Sequence, residues 1–141
     1  MATRTEVRRR FPFPEHVGRY CMPSLVWNRI AAHYLTRYLN QPIQYKEYQQ
    51  QGITLSGVHR KLALSPEAFR IRNRELLELP FDLPAKVRAR AMRMYIRASF
   101  HAGHSLGAQW RECRAKGLWL AQLLKGRRDY RKDLSLLAQR K

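Results

Sequence analysis

KVRARAMRMYIRASFHAGH, residues 86–104, sets cationic side chains among long apolar ones and contains no acid. At about 100° per residue, Arg90, Arg93 and Arg97 fall within a sector of about 60°, while Met92, Met94, Tyr95, Ile96, Ala98 and Phe100 spread over most of the remaining circumference. So broad an apolar surface needs neighbours on at least two sides, and the stretch predicts the central helix of a helical domain. Its narrow basic ridge needs something acidic to face.

Outward from this helix the punctuation is clear. Pro80 and Pro84 in LPFDLP, residues 79–84, disfavour helix in the residues before them, and Asp82 is placed to cap the central helix. Ser65-Pro66-Glu67 predicts a helix running to about Glu78. Ser offers a cap oxygen, Pro needs no N–H at the first helical position, and Glu faces the positive end of the dipole. Further upstream, Ser24 opens a helix whose apolar positions Val26, Ile30, Tyr34 and Tyr38 recur every fourth residue, stopped by Asn40 and Pro42. Beyond the central helix, helices are expected over about 105–116 and about 118–140, the second bent or broken at Gly126. Residues 43–64, with Gly52 and Gly57 around a short apolar segment, read as loop. No period-two run of strand length occurs. The fold class expected is therefore all-α: an irregular bundle of about four to five helices forming a single domain over 24–141. An extended basic arm over 1–23, punctuated by Pro12, Pro14 and Pro23, precedes it.

The chain has 141 residues, with 28 Lys and Arg against 10 Asp and Glu, for a net charge of +18. A domain of this length buries roughly 68–70% of its unfolded surface, enough for a real core. Its charge makes the compact monomer repel itself and seek a polyanion or an acidic surface. Arginine dominates the cations, and guanidinium forks bind phosphate and carboxylate bidentately. Cys21 and Cys113 stand alone, without the pairing of a disulfide framework or a zinc site. No uncharged apolar run reaches the roughly 18 residues of a membrane span. The Arg-rich start, MATRTEVRRRF, is similar to a mitochondrial import sequence, although Glu6 departs from that pattern.

Chemistry-bearing patterns are sparse. His101 and His104 share a helical face, but no carboxylate or Cys follows at ligand spacing, so no metal site is assigned. There is no Gly-rich phosphate loop, and no spacing selects a nucleophile with its base. Glu75 and Glu78 read as helix-surface partners of Arg72 and Arg74. The expectation is a protein that is not an enzyme, with no catalytic, cofactor or metal residues. RNA is one anion that suits the charge, with Trp27, Trp110 and Trp119 as stacking surfaces, though no RNP, KH or zinc-knuckle motif is present. An acidic protein surface or anionic lipid head groups suit the same charge.

The order of several features carries a resemblance. Gly52-Ile53, Leu79-Pro80, Arg90, Arg93 with Met94, Arg97-Ala98, His104, Trp110 and a charged C-terminal helix follow one another. Over about residues 48–135 this resembles the small matrix-side subunit of mitochondrial ubiquinol-cytochrome c reductase, the ubiquinone-binding protein family of respiratory complex III. The resemblance implies an all-helical, non-catalytic accessory subunit, peripheral on the matrix side of the inner membrane. Such a subunit packs against cytochrome b and the core proteins and supports assembly without a redox centre. It also implies that Arg90, Arg93 and His104 lie in the helix that meets those neighbours; Arg97 and Trp110 complete the candidate partner-binding set. The alternative is a mitochondrial ribosomal protein that binds rRNA through its basic surface. The two readings differ in the anion they require.

Overall fold

The apolar spacing around residues 86–104 folds into one long helix with a neighbour on each side. The computed structural model describes residues 3–14, 17, 22–37, 40 and 57–139. In chain order the helices are α1 (Thr5–Arg10), α2 (Pro23–Ala31), α3 (Val58–Leu64), α4 (Pro66–Glu78), α5 (Ala85–His101), α6 (Leu106–Glu112) and α7 (Lys116–Ala138). Among the described residues there is no strand, and the fold is all-α.

Central α5 packs against α4 on one side and α7 on the other. Side-chain contacts give the directions. His104, just past α5, meets Glu67 at the start of α4, while Met92 midway along α5 packs beside Leu77 at the end of α4, so these two helices are antiparallel. Arg93 meets Asp129 and Arg97 meets Asp133, both numbers advancing together, so α5 and α7 are parallel. Short α6 lies on the return path that makes a parallel neighbour possible.

Two apolar clusters explain why α5 is apolar over so much of its circumference. Met92, Tyr95 and Ile96 join Cys113 and Trp119 on one side. On the other, Ala98 meets Leu62 of α3 and Phe69 of α4. Each large side chain buried in this way contributes about 1.5–3 kcal/mol relative to exposure.

Gly126 does not break α7, contrary to expectation; the helix runs continuously from Lys116 to Ala138. The glycine serves close approach. A Cβ there would lie 2.7 Å from Ile96 Cγ2 and 3.2 Å from the Arg93 carbonyl oxygen, so α5 and α7 touch backbone to side chain at this point.

Other local expectations are corrected for identifiable reasons. The predicted helix from Ser24 starts at Pro23 and ends at Ala31. Beyond it Tyr34 and Leu35 are exposed, so the period-four pattern has no surface to bury on and propensity alone does not extend a helix; Tyr38 lies outside the described residues. Part of the expected loop is instead α3, anchored by Leu62, which is completely buried, while residues 43–56 lie outside the described residues. The arm is not extended throughout, since Thr5–Arg10 is helical although it buries nothing. Ser65 and Asp82 do not act as caps: Ser65 and Pro84 hold the N-cap positions of α4 and α5 without a side-chain cap bond. Ser105 does cap α6, its Oγ accepting from the Ala108 N–H at 3.2 Å.

Candidate functional site

The basic ridge of α5 finds acids inside the chain. Arg93 donates from Nη2 to Asp129 at 2.7 Å and from Nε to the other oxygen of the same carboxylate. Arg97 grips Asp133 in the same two-pronged way, its Nε at 2.6 Å, and His101 Nε2 meets an Asp133 oxygen at 2.9 Å. The expectation that a larger body would neutralise the ridge is therefore corrected for Arg93 and Arg97. Carboxylates four residues apart on α7 match arginines four residues apart on α5, and parallel helices keep that match in register. The matched spacing was visible in the sequence; the adjacency of the two helices was not. Burial pushes the Asp133 carboxyl up, but the bonds from Arg97 and His101 outweigh it and hold it below the usual carboxylate value. Arg93 is raised by its bond to Asp129.

Arg90 has no carboxylate among the described residues. It stands on the wall of a cleft of about 550 Å³ between α3, α5 and α7. Lys86, Arg93, Arg97 and Lys125 share that wall with it, and Asp129 is the one acid there among the described residues; Met94 adds an apolar patch. Lys86, Arg90 and Lys125 are all exposed. Behind Arg90, the half-buried Arg72 donates to Ser24 Oγ at 2.9 Å and to Asn73 Oδ1 at 3.3 Å, both neutral oxygens. Burial pulls the Arg72 guanidinium below its usual value, and the positive charge of Arg90 adds to the effect. The first turn of α5 carries no acid at its positive dipole end, while Lys86 and Arg88 lie close by. All three circumstances favour an anion with several oxygens, phosphate or carboxylate, at the mouth of this cleft.

His104 and Trp110 lie elsewhere. His104 Nε2 meets Glu67 Oε1 at 2.7 Å. Arg70 donates to Glu67 at 2.7 Å and also reaches Glu112, which Arg74 bonds at 3.3 Å. This second ionic cluster ties α4 to α6 and to the turn after α5. Burial pushes the Glu67 carboxyl up, and Arg70 with His104 outweighs it to bring it below its ordinary value. His101 and His104 thus serve different carboxylates. Trp110 packs edge-on against Trp119 at 5.5 Å, with the Lys116 ammonium 5.0 Å above its ring. It is a half-buried part of the core cluster rather than a presented stacking platform. Of the five candidate residues, the structure brings Arg90, Arg93 and Arg97 together at the cleft and puts His104 and Trp110 to structural use.

Compared with family models, curated proteins and solved structures, the chain matches none. Among nucleophiles, Cys113 is buried and burial pushes its thiol up, which keeps it protonated at neutral pH and poorly reactive. Cys21 lies outside the described residues. No helix among the described residues is long and apolar enough to cross a membrane.

Proposed function

We propose that this chain is a non-catalytic accessory subunit of a large mitochondrial assembly, with respiratory complex III the assembly its motif order favours. The observation that carries the reading is how charge is distributed. Glu75, Glu112, Asp129 and Asp133 are each bound by an arginine of another helix of the same chain, and Glu67 is bound by Arg70 of its own helix and by His104. The cations left over, including Lys86, Arg88, Arg90, Lys125 and Arg128, face outward. At a net +18 the free monomer carries self-repulsion that a negative neighbour removes. The fold supplies a packed core of α4, α5 and α7, and the cleft supplies its docking charge. In the complex III reading the neighbours are cytochrome b, the core proteins and anionic head groups on the matrix side of the inner membrane.

A second reading, a mitochondrial ribosomal protein on rRNA, is favoured by one specific feature. Lys86, Arg90 and Lys125 share one cleft wall, and none of them is paired with a carboxylate among the described residues, an arrangement that suits a phosphodiester. Ribonuclease treatment of the native particle separates the two. Continued co-migration of the chain with b-type haem absorbance supports the first reading, and release together with RNA fragments supports the second. Recovery of the untreated chain as a solitary monomer refutes both.

A further inference from the structure

On the flank of α7 turned away from the cleft, Leu120, Leu124, Arg127, Arg131 and Leu134 follow one another at alternating steps of four and three. All five are exposed, Leu124 by 78%. Steps of four and three along an α-helix form the seam by which two helices wind together. The helix already uses another seam, through Trp119, Gly126 and Asp133, to pack within its own fold. We propose that the outer seam docks an acidic amphipathic helix of a partner protein, apolar opposite the leucines and carrying carboxylates opposite Arg127 and Arg131.

Position within the stripe selects this occupant. A helix lying on a bilayer keeps its cations at the margins of the apolar face, where they reach the head groups. Here Arg127 and Arg131 occupy the middle, between Leu124 and Leu134, so inserting the leucines would draw both guanidinium groups away from the head groups, against the usual separation of an apolar face from a cationic one. A second copy of the chain, with the two stripes fully overlapped, would set Arg127 and Arg131 against the same two arginines in either orientation, like charge on like. A nucleic acid would satisfy the arginines and leave the leucines wet. An acidic helix satisfies both sets. Neither arginine is engaged by a carboxylate among the described residues, whose ion pairs all involve other cations.

This inference rests on the accessory-subunit reading and names one of its contacts, yet it is tested separately, on the purified full-length chain. A fluorescent helical peptide of about four heptads, long enough to hold its helix, carries Leu at its seam except for Glu at two successive central seam positions. A twin carries Lys there. Fluorescence anisotropy should show the Glu peptide bound, and the Lys peptide weaker by about tenfold or more, a difference of about 1.4 kcal/mol. Because the whole chain is basic, the decisive step is the swap: Arg127→Glu with Arg131→Glu should reverse the preference. Arg90→Glu with Lys125→Glu, the same change in net charge placed in the cleft, should leave it standing. Leu124→Glu should abolish both complexes. All of these residues are exposed, and circular dichroism checks each fold. The proposal is overturned by no binding of the Glu peptide, an unreversed preference, loss of binding in the cleft variant, or self-association in sedimentation that Leu124→Glu removes. Tight binding to phosphatidylglycerol vesicles that is lost in Leu124→Glu would overturn it in favour of a membrane.

Discussion

Asp133→Asn separates the two ion pairs that join α5 to α7. The Asp133 carboxylate is buried and faces Arg97, whose side chain is 13% exposed, and the still less exposed His101. Substituting the neutral amide leaves a largely buried guanidinium without its counter-charge, a loss of about 3–5 kcal/mol when one member of a buried pair is removed. Arg97 borders the cleft, where water can reach it, so about 3 kcal/mol is expected. Asp129→Asn removes the partner of Arg93, which is 39% exposed; pairs of that kind are worth about 0–1 kcal/mol. Urea titration followed by far-UV circular dichroism at neutral pH measures both, and a lower midpoint at unchanged slope identifies a loss of stability. In thermal melts, at roughly 2–8 °C per kcal/mol for domains near this size, Asp133→Asn should lower the midpoint by about 10 °C and Asp129→Asn by a few degrees at most. Arg97→Met combined with Asp133→Leu should recover most of the loss, because an apolar pair carries no unpaired charge. Equal costs at Asp129 and Asp133, or a larger one at Asp129, would refute the placement of the Asp133 pair in the interior.

Three further outcomes are expected. Gly126→Ala should destabilise by about 1–3 kcal/mol through overpacking against Ile96, even though alanine is the better helix former by about 1 kcal/mol, and calorimetry showing a stabilised variant would disprove the close approach. The Asp133 and Glu67 carboxyls sit below their ordinary values, so the stability they contribute is complete above about pH 5.5, where the unfolded groups are ionised, and is lost as pH falls below that through the lower folded values. Asp133→Asn should accordingly flatten the acid side of a stability–pH curve. Arg90→Glu should weaken retention of the chain in its native particle far more than Arg60→Glu, an exposed change on α3 away from the cleft walls; equal retention on density gradients would remove the cleft from the docking surface.

Helix α5 was legible because its apolar residues leave only a narrow polar sector, and α4 because Pro66 and Pro80 bracket it. The need of Arg93 and Arg97 for carboxylates was also legible. Their source was not, since spacing within one helix does not tell which other helix lies beside it or in which direction it runs. Gly126 read as a break because a mid-helix glycine weakens a helix, and only the proximity of Ile96 turns that weakness into a fit. In α3 the deciding fact is the burial of Leu62 under Phe69 and Ala98, a tertiary contact that a seven-residue segment does not announce. His104 and Trp110 were read as outward-facing because their partners, Glu67 and Trp119, lie on other helices, α4 and α7.

The parallel pairing of α5 and α7 also bears on biosynthesis. Asp129 and Asp133 are translated more than thirty residues after the arginines they neutralise, so during elongation α5 emerges as a bare polycation. A product truncated ahead of Trp119 would keep that exposed charge permanently, along with the apolar strip meant for Trp119 and Gly126. Nascent-chain handling and the disposal of incomplete copies should therefore hinge on whether the seventh helix has closed over the fifth.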